Sequence, residues 1–213
     1  MPELTRIVAI RHGQTDWNAS GRLQGQLDVP LNARGRAQAA RLADALRDEG
    51  IERVVASDLA RAWHTAQALA FPLGLPLVAD AGLRERGFGL FEGHGRADVA
   101  SRWPEFAERW YHRDVDFAPA GGESLTDFNA RCLAAAERLA AAHAGGSLAL
   151  VTHGGVLDCL YRAATHQALN APRTWRLGNA SINRLLYTAQ GFSLVGWDDQ
   201  THLDGLPLDD EPG

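Results

Sequence analysis

Cysteine is scarce in this chain. Among 213 residues there are two, Cys132 and Cys159, far apart and without the ladder of spacings that marks a disulfide framework. Two buried thiols in a reducing compartment are expected, not a bridge or a redox pair. Positive charge is not in excess either: 21 basic residues face 26 acidic ones, a formal net charge of −5. That balance gives no broad attraction to nucleic acid or to an anionic membrane surface. No apolar run approaches the roughly 20 residues that cross a bilayer. The opening MPELTRIVAIRHG lacks a basic n-region, an apolar h-region and a cleavage site, so no signal peptide is expected and the expected location is the cytoplasm. The Asn-x-Ser triplets at Asn18 and Asn179 then read as chance and not as glycan acceptors. HExxH, CxxC, the EF-hand pattern, the P-loop and GxGxxG are all missing, and Gly87, Gly89 and Gly93 do not fit the last of these. There is no internal repeat, low-complexity tract or convincing linker.

What is present is an alternation of strand and helix signals. Residues 4–10 form an apolar run that predicts a buried strand. Asn32 is placed to cap a helix that ends near Gly50. Residues 51–56 predict a second strand, 58–70 an alanine-rich helix, and 75–79 a short third strand. A loop with four glycines, RERGFGLFEGHG, leads to one or two short helices over 95–113, broken at Pro104. A long helix over about 124–144, the strand SLALVT at 147–152, a helix from about 155, and a hairpin of 181–188 and 192–197 complete the pattern. The expected fold is a single α/β domain: a three-layer αβα sandwich on a mostly parallel sheet, with an antiparallel edge. Residues 84–122 read as a small helical cap, and the acidic, proline-bearing stretch 198–213 as a fraying tail.

Ligands of such sheets bind outside the carboxyl ends of the strands. The first strand ends at Arg11-His12-Gly13. The second ends at Ser57-Asp58, with Arg61 one turn into the next helix. SLALVT ends at Thr152-His153-Gly154. Two arginines and two histidines therefore converge on one crevice. A guanidinium is a planar fork of donors matched to an oxyanion, and Gly13 and Gly154 let backbone N–H groups approach. Phosphate uses several converging donors better than carboxylate does. With no metal motif to supply hydroxide, His12 is the candidate nucleophile, since adjacent arginines disfavour its protonated form. Glu85, in the glycine-rich loop, is the candidate proton donor to the leaving alkoxide.

The string RHGQTDWN, residues 11–18, resembles the signature of the histidine phosphatase superfamily, the phosphoglycerate mutase-like proteins. NASGRLQG, SDLARAWHTA, LRERGFGLFEG, GGESL and VTHGG continue that resemblance in order along nearly the whole chain. The resemblance implies that His12 is the phosphorylated residue and that Arg11, Arg61 and His153 form the phosphate pocket. Asn18 would be a further ligand, Gln24 and Gly25 part of the pocket wall, and Glu85 the acid. It also implies no metal and no nucleotide cofactor. One departure is that Glu85 lies between Arg84 and Arg86, which are expected to point outward.

The superfamily contains mutases and phosphatases. Its mutases cover the site with a long insertion after the acid loop, and only 94–122 are available here, which favours water access and a phosphatase acting on a small phosphomonoester. A mutase-type phosphotransfer and a non-catalytic phospholigand-binding module are the alternatives. The cap concentrates Trp103, Phe106, Trp110 and Tyr111, which either pack it onto the sheet or line the pocket mouth; Arg113 beside them suits a second anionic group. Glu92 ranks below Glu85 as the acid, and Trp17 is expected to pack its loop. Ser57 and Thr152 either orient the histidines or are ordinary strand-end hydrogen bonders. Ser124 and Glu123 are expected to cap the long helix. His64, His94, His112, His143, His166 and His202 are expected to lie at the surface or behind the site. The sequence leaves the oligomeric state open, a homodimer among the choices.

Overall fold

A computed structural model describes residues 4–206. Six strands form one sheet: β1 (Thr5–Arg11), β2 (Arg53–Ala56), β3 (Leu77–Ala79), β4 (Ser147–Thr152), β5 (Ile182–Thr188) and β6 (Gly191–Asp199), in the order β3-β2-β4-β1-β5-β6. The first four are parallel. β5 runs antiparallel to β1, and β6 antiparallel to β5. Continuous apolar runs make β1 and β4 central strands, because each face of a parallel sheet is covered. Alternation along them sorts the core. Ile7, Ala9, Leu148 and Leu150 face one layer with Phe128, Cys132, Val156 and Leu160; Val8, Ile10, Ala149 and Val151 face the other with Leu42, Ala66 and Leu69.

The helices are α1 (Asp16–Ala19), α2 (Ala33–Ala40), α3 (Leu42–Ala45), α4 (Ala60–Ala70), α5 (Arg96–Arg102), α6 (Pro104–Tyr111), α7 (Leu125–Ala141) and α8 (Gly154–Thr165). α7 and α8 cover one face and α2–α4 the other, giving the expected three layers. Ser124 caps α7 by accepting from the Asp127 N–H, and Asn32 caps α2 by accepting from Gly35 N at 2.8 Å. Pro104 begins α6, as its missing N–H allows.

Two expectations are corrected. The helix expected from Asn32 to Gly50 is broken: its ladder tightens to an i→i+3 bond from Arg41 N to Gln38 O, and the chain restarts with Leu42, Ala43 and Leu46 buried. The tail expected to fray from residue 198 is ordered through 206. Asp199 pairs with Arg184 at 2.9 Å, Asp198 accepts from Gly178 N at 2.8 Å, and Thr201–Leu203 form a 3₁₀ turn. The rest of that expected tail, 207–213, lies outside the described residues.

The cap has its own small core of Phe91, Val99, Ala107 and Phe117, with Trp103 and Trp110 packed against it. Among the described residues no helix is long and apolar enough to cross a membrane.

Candidate active site

Register brings the two histidines together. Arg11 of β1 pairs with Thr152 of β4, so the residues that follow, His12 and His153, leave adjacent strands side by side with ring centroids 5.1 Å apart. β2 flanks β4 on its other side, and Ser57, just beyond β2, places its hydroxyl oxygen 2.8 Å from His153 Nε2. α4 then delivers Arg61 from its first turn.

The protonation pattern follows from the partners. His12 Nδ1 lies 2.7 Å from the Gly13 carbonyl, which can only accept. Nδ1 therefore carries the proton and Nε2 keeps its lone pair. Burial, then Arg61 and Arg11, push the His12 pKa well below the usual imidazole value, so the ring is neutral at pH 7. Burial, then Arg61, His12 and Arg11, do the same to His153. Ser57 Oγ accepts from Leu59 N at 3.3 Å and shares a hydrogen bond with His153 Nε2; with the hydroxyl proton donated to Nε2, the neutral ring carries its own proton on Nδ1.

Both guanidiniums are fixed by backbone carbonyls. Arg11 Nη1 donates to Leu177 O; Arg61 donates to Leu27 O at 2.8 Å and Gly25 O at 2.7 Å. Burial lowers the Arg11 pKa to about 10, still a cation at neutral pH. Arg11 Nε, Arg61 Nε and His153 Nδ1 are buried without partners among the described residues. An unsatisfied buried donor costs about 1–3 kcal/mol. Two guanidinium N–H donors and the His153 ring nitrogen, beside the neutral His12 imidazole, suit the oxygens of an anion.

Asn18 and Gln24 lie at the same place. Asn18 Oδ1 accepts from Thr15 N at 3.1 Å and Asn179 Nδ2 at 3.2 Å; Gln24 Oε1 accepts from Thr15 Oγ1 at 2.9 Å. Each amide oxygen is engaged, which leaves the NH₂ end of each as the free donor. The two Asn-x-Ser asparagines thus serve the site wall. Gly25 has a φ of +52°, and a Cβ there would meet Glu92 Oε1 at 1.9 Å. Gly154 lies against the Arg11 guanidinium.

Glu85 reaches the site across the start of α8. Its Oε2 accepts from Gly155 N at 3.0 Å and its Oε1 from Arg86 N at 2.8 Å. Glu92 instead accepts from Gln26 N and Phe88 N, bracing the loop. Arg84 points outward to Asp58, as expected. Arg86 does not. It is buried and donates to Glu123 O at 2.9 Å and Phe117 O at 3.0 Å, two carbonyls of the segment that closes the cap. Arg131 of α7 was not legible as a site residue. It donates to Gly82 O, Arg84 O and Glu85 O and pairs with Glu123 at 2.8 Å, while Glu123 Oε2 accepts from Gly87 N at 2.7 Å. Ser124 caps as expected; Glu123 is a clamp on the acid loop. Thr152 ties to Leu83 O, away from the histidines.

These groups floor a cleft of about 920 Å³. Of the four cap aromatics, Trp110 and Tyr111 line it, whereas Trp103 packs on Phe91 and His94, and Phe106 on Phe117. Arg113 reaches the wall, but its guanidinium is held by Leu169 O at 2.8 Å and Asp158 at 3.0 Å. Among the described residues no group of three or more His, Cys, Asp or Glu side chains is arranged to hold a metal ion. Cys132 and Cys159 are free and buried.

A fold of this topology, with paired imidazoles at the ends of adjacent parallel strands and arginines around them, has known counterparts. The chain belongs to the histidine phosphatase superfamily (branch 1), whose family model matches residues 7–200. Within that class it is 38% identical over 207 residues to phosphoglycerate mutase-like protein 4 of Arabidopsis thaliana, covering 95% of this chain and 88% of the relative. It is 35% identical to a probable phosphoglycerate mutase GpmB of Yersinia enterocolitica, over 97% of this chain and 99% of the relative. Among solved structures it resembles a mycobacterial glucosyl-3-phosphoglycerate phosphatase in complex with VO3, with a TM-score of 0.81, 34% identity and coverage of 91% and 98% of the two chains.

Proposed function

We propose that this protein is a metal-independent phosphomonoesterase of small phosphorylated metabolites that works through a phosphohistidine on His12. The observation that carries the reading is the His12 ring: neutral, fixed by its Nδ1–H on Gly13 O, and flanked by Arg11 Nε, Arg61 Nε and His153 Nδ1, which have no partner among the described residues. Arg11, Arg61, His153, Asn18 and Gln24 hold the three non-bridging phosphoryl oxygens, with backbone at Gly25 and Gly154 close to the group. His12 Nε2 attacks phosphorus in line and the P–O bond to the substrate breaks. The departing alkoxide takes the proton of Glu85. Water then attacks the phosphohistidine, Glu85 takes a proton from it, the N–P bond breaks, and phosphate leaves. Fixed guanidiniums at the transferring group give about 10³- to 10⁵-fold in comparable phosphoryl transfers, and acid–base help about 10²- to 10⁴-fold.

The short cap and open cleft support water as the acceptor. A mutase-type reading is favoured by one finding, the mutase names of the relatives. Comparing phosphate release from phosphoglycerates with their isomerisation separates the two. The direct test is hydrolysis of p-nitrophenyl phosphate with a chelator present. Wild type is expected to retain its rate, and His12→Ala to lose turnover together with any acid-labile phosphoenzyme. Full activity in His12→Ala refutes the nucleophile; loss of wild-type activity on chelation refutes metal independence.

A further inference from the structure

The carbonyl that holds the His12 proton is itself held. His12 Nδ1 lies 2.7 Å from Gly13 O. That oxygen belongs to the peptide group joining residues 13 and 14, whose N–H is that of Gln14. Gln14 N donates to Gln38 Oε1 at 2.8 Å. A backbone N–H can only donate, so the Gln38 amide turns its oxygen toward it. One chain of hydrogen bonds therefore runs from the imidazole, through a single peptide group, to a side chain of α2. Gln38 is 5% exposed and does not line the cleft.

The peptide on the other side of Gly13 has different anchors. Gly13 N donates to Thr65 Oγ1 at 3.0 Å, and His12 O accepts from Asn179 Nδ2 at 3.1 Å and Ala180 N at 3.2 Å. Those bonds fix the 12–13 peptide. The 13–14 peptide is set by α2. Asn32, Gly35 and Gln38 are three apart and share one side of that helix. Asn32 N donates to Gln14 O at 3.0 Å, and Asn32 Nδ2 donates to Gln14 Oε1 at 2.8 Å. A Cβ on Gly35 would meet Gln14 O at 2.0 Å, so the helix backbone lies directly against the loop.

We infer that Gln38 is a positioning residue for the phosphoryl transfer: through the 13–14 peptide it aims Gly13 O at His12 Nδ1 and polarises it. This rests on the phosphohistidine reading. As Nε2 bonds to phosphorus, the proton stays on Nδ1 and the ring gains positive charge. A carbonyl whose own peptide N–H is hydrogen-bonded carries more negative charge on its oxygen. The bond from Nδ1 to Gly13 O therefore strengthens as the ring charges, and an interaction that grows toward the transition state raises kcat. The same chain selects the tautomer. A Gly13 carbonyl turned away would let the ring proton sit on Nε2, where it blocks the attacking lone pair.

The test pairs kinetics with spectroscopy of the ring. Gln38→Met keeps the volume and removes the acceptor; Gln38→Glu keeps an acceptor oxygen at the same reach. With p-nitrophenyl phosphate, Gln38→Met is expected to lower kcat about tenfold, the worth of one neutral hydrogen bond, with KM within about threefold. Gln38→Glu should recover kcat to within about threefold of wild type. Long-range proton–nitrogen NMR spectra of the free protein, with His12 assigned by its loss in His12→Asn, should show a protonated Nδ1 and a bare Nε2 in wild type. In Gln38→Met the two nitrogen shifts should draw together. An unchanged kcat overturns the proposal, as does a lower kcat with the ring signals unmoved, which marks a structural role alone. If Gln38→Met does not fold, Gln38→Glu carries the test: its carboxylate should move the Nδ1 proton downfield, and an unmoved resonance overturns the proposal. Failure of the phosphatase reading shows separately, as no p-nitrophenol release by wild type, and the ring spectra still decide the role of Gln38.

Discussion

Gly155→Ala probes the proposed acid, Glu85, without replacing it. A Cβ at this position would lie 2.1 Å from Glu85 Oε1 and 2.9 Å from the Phe128 ring, so a side chain must move. The carboxylate is the easier one, at the end of two flexible methylenes, while Phe128 is buried in the core. The substitution should therefore push Glu85 off Gly155 N and away from the leaving oxygen. Stability should fall by about 2 kcal/mol at most: alanine in a helix gains up to about 1 kcal/mol over glycine, against about 1–3 kcal/mol for the crowding at Phe128. Activity should change selectively. An alkyl phosphate needs its alkoxide protonated, so its kcat/KM should fall by about 10²-fold or more. p-Nitrophenolate leaves without that help, and its rate should fall by less than about tenfold. The assay is the ratio of the two rates, with thermal unfolding as a control. An unchanged ratio in a folded variant would refute the placement of Glu85 as the acid.

Glu85→Gln should reproduce that selectivity more strongly, measured as the slope of log kcat against leaving-group pKa; an unaltered slope counts against the role. Both site histidines have pKa values lowered in the folded state, so below the ordinary value of 6.5 the unfolded chain binds more protons. The stability that rests on neutral rings is present above pH 6.5 and lost as pH falls below it. Urea midpoints should therefore drop between pH 7.5 and 5.5, and His12→Asn should flatten the drop; an unchanged dependence contradicts the burial argument. Arg131→Leu removes donors to three carbonyls and leaves the Glu123 carboxylate without its paired cation. It should cost about 2 kcal/mol or more in denaturant titrations, with kcat reduced more than KM is raised. A neutral outcome would show that the acid loop holds itself.

The strand ends were legible because apolar runs with glycine after them mark where a parallel sheet stops, and chemistry gathers there. His12, His153, Arg11 and Arg61 came from that rule, with the resemblance adding Asn18 and Gln24. What stayed hidden depends on distant partners. Arg131 has the spacing of any solvated helix face, and only the fold brings carbonyls of residues 82–85 over it. Arg86 lies in a loop without periodicity, so nothing local says which way it points. Asp198 and Asp199 have the composition of a loose end, and the fold supplies Gly178 and Arg184 to hold them. Arg41 breaks its helix because Leu42 and Leu46 must turn inward, a demand of packing and not of propensity.

The ladder between β1 and β4 has one more consequence. The spacing of the two imidazoles is set by backbone pairing deep in the sheet and owes nothing to the loops that meet the rest of a ligand. Those loops can be lengthened, recharged or reshaped while the rings keep their separation. The pairing of the two rings is thus insulated from those loops, so altering what the cleft recognises need not disturb the distance between the imidazoles.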